Sequence, residues 1–210
     1  MTTSCLVFLG ISLALYCLAS LLLQGRLWWG HASWETWGHR SLIAGVVINT
    51  AGIGLHVYFS GQSPLTHMTS VISLIVVAFL IAGLAIERRT SVRNLTLFLA
   101  PIAFLGLLYP LLMPVRFEDA GSMLVRYPWL GVHVFVTLLG HVGFALSFLG
   151  AGVYLLQRRA LKRGRLNHYL PALDSASRVT FYGAGGGFFF FTIGLGMGMI
   201  WLFGAPGEFL

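Results

Sequence analysis

Six stretches of this chain contain no Asp, Glu, Lys or Arg, and this segregation of charge limits the fold more than any motif does. They run roughly over 4–24, 41–59, 68–86, 94–113, 129–157 and 179–203. A helix needs about 20 largely apolar residues to cross a bilayer, and each stretch meets that requirement. In lipid the backbone must satisfy its own hydrogen bonds, which leaves helices or closed barrels, and these runs lack the alternation of barrel strands. Only 9% of the 210 residues are charged and 57% are hydrophobic, so a soluble chain of this length could not hide its apolar surface in one core. The expectation is an all-α integral membrane protein, a bundle of six transmembrane helices forming a single domain over 1–210.

The net charge of +7 could suggest a nucleic-acid partner, but the cations sort by loop instead. Arg26, Arg40, Arg88, Arg89, Arg93, Arg158, Arg159, Lys162, Arg163, Arg165 and Arg178 fall on one side of the alternating spans, and only Arg116 and Arg126 on the other. By the positive-inside rule the first group is cytoplasmic, which puts both termini on the periplasmic side of a bacterial inner membrane. Met1-Thr2-Thr3-Ser4 carries no basic n-region, so the first span is expected to stay in the mature protein. The basic run from Arg158 to Arg165 reads as an anchor for anionic lipid headgroups.

Cys5 and Cys17 lie in the first span, without Cys-x-x-Cys or Cys-x-x-Cys-His spacing, so redox pairing and covalent haem attachment are not indicated. Gly183, Gly185, Gly186, Gly187, Gly194, Gly196 and Gly198 sit inside the last span. There they suit close helix packing better than nucleotide binding, which needs a strand–turn–helix context.

With no other ionisable group of that kind in any span, His56, His133 and His141 stand out. An ionisable residue at membrane depth is costly and points to function, with an interhelical hydrogen bond as the plain alternative. His56 lies one turn from the outer end of the second span, and His133 one turn from the outer start of the fifth. His67, Met197 and Met199 fall near the same level. Imidazole and thioether are axial ligands of haem iron. His141 lies about 12 Å deeper than His133 and is rotated by about 80°, whereas two imidazoles clamping one iron need nitrogens about 4 Å apart. His133 and His141 therefore cannot share an iron. His56 is the first partner for His133, with Met197 or Met199 behind it, and His141 belongs to the surroundings or to a second site.

At these residues the chain resembles the CcsA/HemX-like cytochrome c assembly family, membrane proteins that bind and move haem for cytochrome c maturation. One stretch is His56-Val57-Tyr58-Phe59-Ser60-Gly61-Gln62-Ser63-Pro64-Leu65. The second runs from His133-Val134 through Leu139-Gly140 to Tyr154-Leu155-Leu156-Gln157. The third runs from Leu170-Pro171-Ala172-Leu173-Asp174 through Arg178-Val179 to Thr192-Ile193-Gly194-Leu195 and Trp201. The likeness covers residues 41–203. It implies that His133 stands at the external haem-ligand histidine; the family often has Arg or His at the His56 position and an aromatic at that of His141.

Full haem lyases of the family continue into a tryptophan-rich periplasmic segment and further helices with a second external histidine. This chain ends at Gly204-Ala205-Pro206-Gly207-Glu208-Phe209-Leu210, so it is not expected to be a complete lyase by itself. Its own tryptophan-rich stretch, Trp28 to His39, falls on the cytoplasmic side. It reads as an aromatic interfacial belt, with a docking point for haem or metal through His31, Glu35 and His39 as the alternative.

The expected function is a haem-handling protein that holds a non-covalent b-type haem near the periplasmic face. His133 and His56 would be iron ligands, and Arg116 and Arg126 would lie beside the propionates. The expected partners are membrane lipid and other membrane subunits or cytochrome c maturation proteins, with no nucleic acid. The alternative is a haem-carrying or structural subunit of a respiratory electron-transfer complex. A transporter is disfavoured, because the two halves show no internal similarity and no charged midplane site.

Overall fold

The computed structural model describes residues 3–61, 63–90, 92, 94–112, 128–164 and 170–204. These form six α-helices: α1 (Thr3–Trp29), α2 (Ala32–Ser60), α3 (Met68–Thr90), α4 (Thr96–Leu112), α5 (Pro128–Lys162) and α6 (Leu173–Gly204), with a 3-10 turn at Pro64–Thr66. No strand occurs among the described residues. Five helices are long and apolar enough to cross a membrane. The remaining one, α4, has 17 residues, which is about 25 Å against a hydrocarbon core of about 30 Å. It carries Pro101 and Pro110 internally, each removing one backbone donor from its ladder.

The helices outrun the apolar stretches. α2 starts at Ala32 rather than near 41, and α6 at Leu173 rather than near 179. The added turns are polar and pair locally: Glu35 meets Arg26 at 2.6 Å, and Asp174 meets Arg178 at 2.8 Å one helical turn away.

Successive helices run antiparallel, and glycines set their registers. Gly38 leaves room for Leu23, Gly45 for Tyr16 and Gly52 for Phe8 along the α1–α2 seam; Gly83 does the same for Leu99 between α3 and α4. α5 and α6 approach most closely. A Cβ built on Gly143 would lie 2.5 Å from the Gly187 Cα, and one on Gly183 would lie 2.7 Å from the Ser147 backbone nitrogen. The close-packing use of these glycines is therefore met at Gly183, Gly187, Gly194 and Gly198, whereas Gly185, Gly186 and Gly196 have nothing within 4 Å.

α3 is the central element, touching α2, α4 and α5. It buries 44% of its most apolar window, against 11% for α6, which packs chiefly on α5. The core gathers Tyr16, Leu42, Leu80, Leu99 and Leu107, all fully buried.

Candidate functional site

His133 stands near the start of α5, facing α6. Its Nδ1 lies 2.6 Å from the Gly194 carbonyl oxygen. A carbonyl can only accept, so Nδ1 carries the proton and donates. Below the ring, a Cβ built on Gly198 would come within 2.7 Å of the His133 Cε1. The imidazole thus fills space left by a missing side chain. Thr137, one turn along α5, donates its hydroxyl to the His133 carbonyl at 2.8 Å and packs where a side chain at Gly194 would be.

His56 is placed by a turn whose chemistry the sequence spells out. Gly61 takes φ 64° and caps α2, its N–H bonding to the Val57 carbonyl. A left-handed cap of this kind favours glycine. Ser63 then accepts from the Leu65 N–H at 3.3 Å and opens the 3-10 turn, with Pro64 in its first position. The chain doubles back, and His67 arrives with its ring centroid 5.4 Å from that of His56, edge to face. His56 is only 2% exposed, and neither of its ring nitrogens has a hydrogen-bond partner. A buried unpaired polar group costs about 1–3 kcal/mol, so this imidazole is held at a cost that its surroundings do not offset with a hydrogen bond.

The structure therefore brings His56 to His67, and His133 to Gly194 and Gly198. α3 touches both α2 and α5, while α2 and α5 scarcely meet, and no ring contact or hydrogen bond joins His56 to His133. Met197 and Met199 flank Gly198 on α6; Met197 is half-buried and Met199 is 50% exposed. His141 lies two turns along α5 and is exposed, with Nδ1 donating to the Thr137 carbonyl at 2.8 Å. Its ring contacts Phe191 with centroids 5.4 Å apart. It is held apart from the His133 seat. Arg116, Arg126, Arg165 and His168 lie outside the described residues.

Four of the five placed candidates, His56, His133, Met197 and Met199, sit at one end of the bundle, with His141 two turns further along α5. Arg26, Arg40, Arg88, Arg89, Arg158, Arg159, Lys162 and Arg178 occupy the opposite end, because the helices alternate in direction. At that opposite end lies a polar cluster that sequence reasoning missed. Glu87 accepts from the Thr96 backbone N–H at 3.2 Å and from its hydroxyl at 3.4 Å. His39 Nε2 lies 3.0 Å from Thr96 Oγ1 and 3.8 Å from Glu87 Oε1. The sequence signals were His39, read instead with His31 and Glu35, and a Glu at the end of an apolar run. The tryptophan-rich stretch is the α1–α2 corner, where the Trp29 and Trp34 rings lie 5.6 Å apart and His31 meets Trp34 at 5.3 Å. Glu35 and His39 are committed to Arg26 and Thr96, and among the described residues no group of three or more His, Cys, Asp or Glu could hold a metal ion.

Residues 65–208, more than half of the chain, match the family described as Cytochrome C assembly protein. The match takes in His67, His133, His141, Met197 and Met199, and begins after His56. No curated protein matches the chain, and no solved structure does.

Proposed function

The chain belongs to the cytochrome c assembly protein family, and from that premise we propose that it holds and passes on a non-covalent b-type haem near the periplasmic face of a bacterial inner membrane. In this reading the arginine-rich end is cytoplasmic and both termini are periplasmic. The haem is cargo. It brings the iron, and the chain supplies the imidazoles and a dry, glycine-lined seat.

His133 is the primary ligand. Its Nδ1–H is spent on the Gly194 carbonyl, which leaves Nε2 as the nitrogen whose lone pair can be offered to a metal. This is the observation that carries the proposal. His56, buried with both nitrogens unpaired, has the donor character expected of the second ligand, with Met197 and Met199 behind it. His141, tied to its own helix, is assigned no iron.

The test is an absorbance spectrum of the detergent-purified protein after haem supplementation, oxidised and dithionite-reduced. The expected result is a Soret band that His133→Ala shifts or removes. Absence of the band in the parent protein, or a band indifferent to His133→Ala, overturns the assignment.

A second reading, an integral subunit of an electron-transfer complex, is favoured by one observation: α6 leaves nearly nine-tenths of its most apolar window uncovered. Co-purification with oxidase or cytochrome subunits supports that role, and co-purification with maturation proteins supports hand-over.

A further inference from the structure

The His133 seat is built from two glycines one helical turn apart on α6: Gly194 lends its backbone carbonyl and Gly198 its lack of a side chain. The Gly194 carbonyl receives the imidazole proton at 2.6 Å. In a regular helix the same carbonyl also accepts the backbone N–H four residues on, which is that of Gly198, so the Gly194 oxygen is shared by the Gly198 N–H and the ring N–H. Gly198 supplies the space. The Cβ of any other residue there would stand 2.7 Å from His133 Cε1, 3.1 Å from Nδ1 and 3.3 Å from Nε2. The ring could not keep its present place. Gly196, two residues earlier, has nothing within 4 Å. Of Gly196 and Gly198, only Gly198, which faces the imidazole, has no room for a side chain.

We infer that Gly194 and Gly198 are positioning residues for His133: the carbonyl holds the proton on Nδ1, and the absent side chain fixes the ring plane, so that Nε2 is the nitrogen presented to haem iron. This deepens the haem reading above and rests on it for the identity of the metal. The hydrogen bond and the seat are properties of the chain alone. A ligating histidine whose other nitrogen donates to a carbonyl is oriented and made more basic, and loss of such a partner typically costs about 10–100-fold in metal affinity.

The first measurement is the nitrogen NMR spectrum of haem-free protein labelled at histidine, with His133 assigned by substitution. The expected result is a single neutral tautomer protonated at Nδ1. A ring protonated at Nε2, or a mixture of tautomers, overturns the inference whatever haem does. The second measurement compares Gly198→Ala with Gly196→Ala. Gly198→Ala is expected to lose the single tautomer, to weaken haem binding by about 10–100-fold and to shift the midpoint potential of any haem that remains. Gly196→Ala is expected to leave all three unchanged. Parental haem affinity and potential in Gly198→Ala overturn the inference. Failure of the parent protein to take up haem overturns the haem reading instead, and the tautomer then judges the seat by itself.

Discussion

The Ser73 hydroxyl on α3 donates to the side-chain oxygen of Asn49 on α2, with both residues fully buried. The Asn49 amide in turn donates to the Tyr16 hydroxyl on α1 at 3.4 Å. One amide therefore ties three helices together at mid-depth. The hydrocarbon core of a bilayer offers no water to pair with a polar group left without a partner. Single interhelical hydrogen bonds in membranes average about 0.6 kcal/mol and reach about 1.7. Asn49→Ala removes two of them and strands two hydroxyls. A loss of about 1–3 kcal/mol is expected in an unfolding titration in mixed micelles. A stability equal to that of the parent protein would show that the triad carries no weight.

His56 presents the opposite case, a buried group with nothing to bond. An apolar side chain of similar size relieves that deficit. His56→Phe is therefore expected to leave the haem-free protein at least as stable as the parent, with a gain of up to about 1–3 kcal/mol, while haem uptake falls. Stability and ligation should move in opposite directions. If His56→Phe instead destabilises the haem-free fold, the imidazole is a packing element and the proposal that it ligates iron loses its support.

The helices were legible because burial in lipid demands long apolar runs, and the sidedness of His56, His133, Met197 and Met199 followed from helices that alternate in direction. Gly61 and Pro64 carry the turn that returns His67 to His56, although in the sequence they register only as part of the family likeness. Which imidazole meets which was not legible. Depth along a helix says nothing about its neighbours, and α3, rather than α5, packs on α2. The early start of α2 was hidden for a related reason: Glu35 and His39 look like loop residues until Arg26 and Thr96, distant in sequence, supply their partners. The Gly194–Gly198 pair was visible as small residues, but its use as an imidazole seat depends on a register between α5 and α6 that no local pattern encodes.

That register rests on close backbone approach, which gives a sharp contrast within one helix. On α5, a Cβ at Gly143 would meet the Gly187 Cα at 2.5 Å, its nitrogen at 2.6 Å and the Gly183 carbonyl at 2.9 Å, whereas Gly152 has nothing within 4 Å. Backbone cannot step aside as a side-chain tip can. Gly143→Ala should force α5 from α6 and cost about 1–3 kcal/mol. Gly152→Ala should be neutral or stabilising by up to about 1 kcal/mol, since alanine favours the helix. Equal effects from the two substitutions would rule out the tight α5–α6 seam.

At the arginine-rich end, two carboxylates make similar-looking ion pairs that should differ in weight. Glu35 is 34% exposed beside Arg26, itself 22% exposed. Such pairs contribute roughly 0–1 kcal/mol, because water competes for both charges. Glu87 is 14% exposed and accepts from both the backbone and the hydroxyl of Thr96, at the start of α4. Removing it leaves those two donors and His39 without their carboxylate at a joint of three helices. Glu87→Ala is expected to cost about 1–3 kcal/mol and to expose the α3–α4 corner to protease. Glu35→Ala should change stability by less than about 1 kcal/mol. The same micelle titration reads both. A larger loss for Glu35→Ala than for Glu87→Ala would mean that the α1–α2 corner, and not the Glu87–Thr96 contact, fastens this end of the bundle.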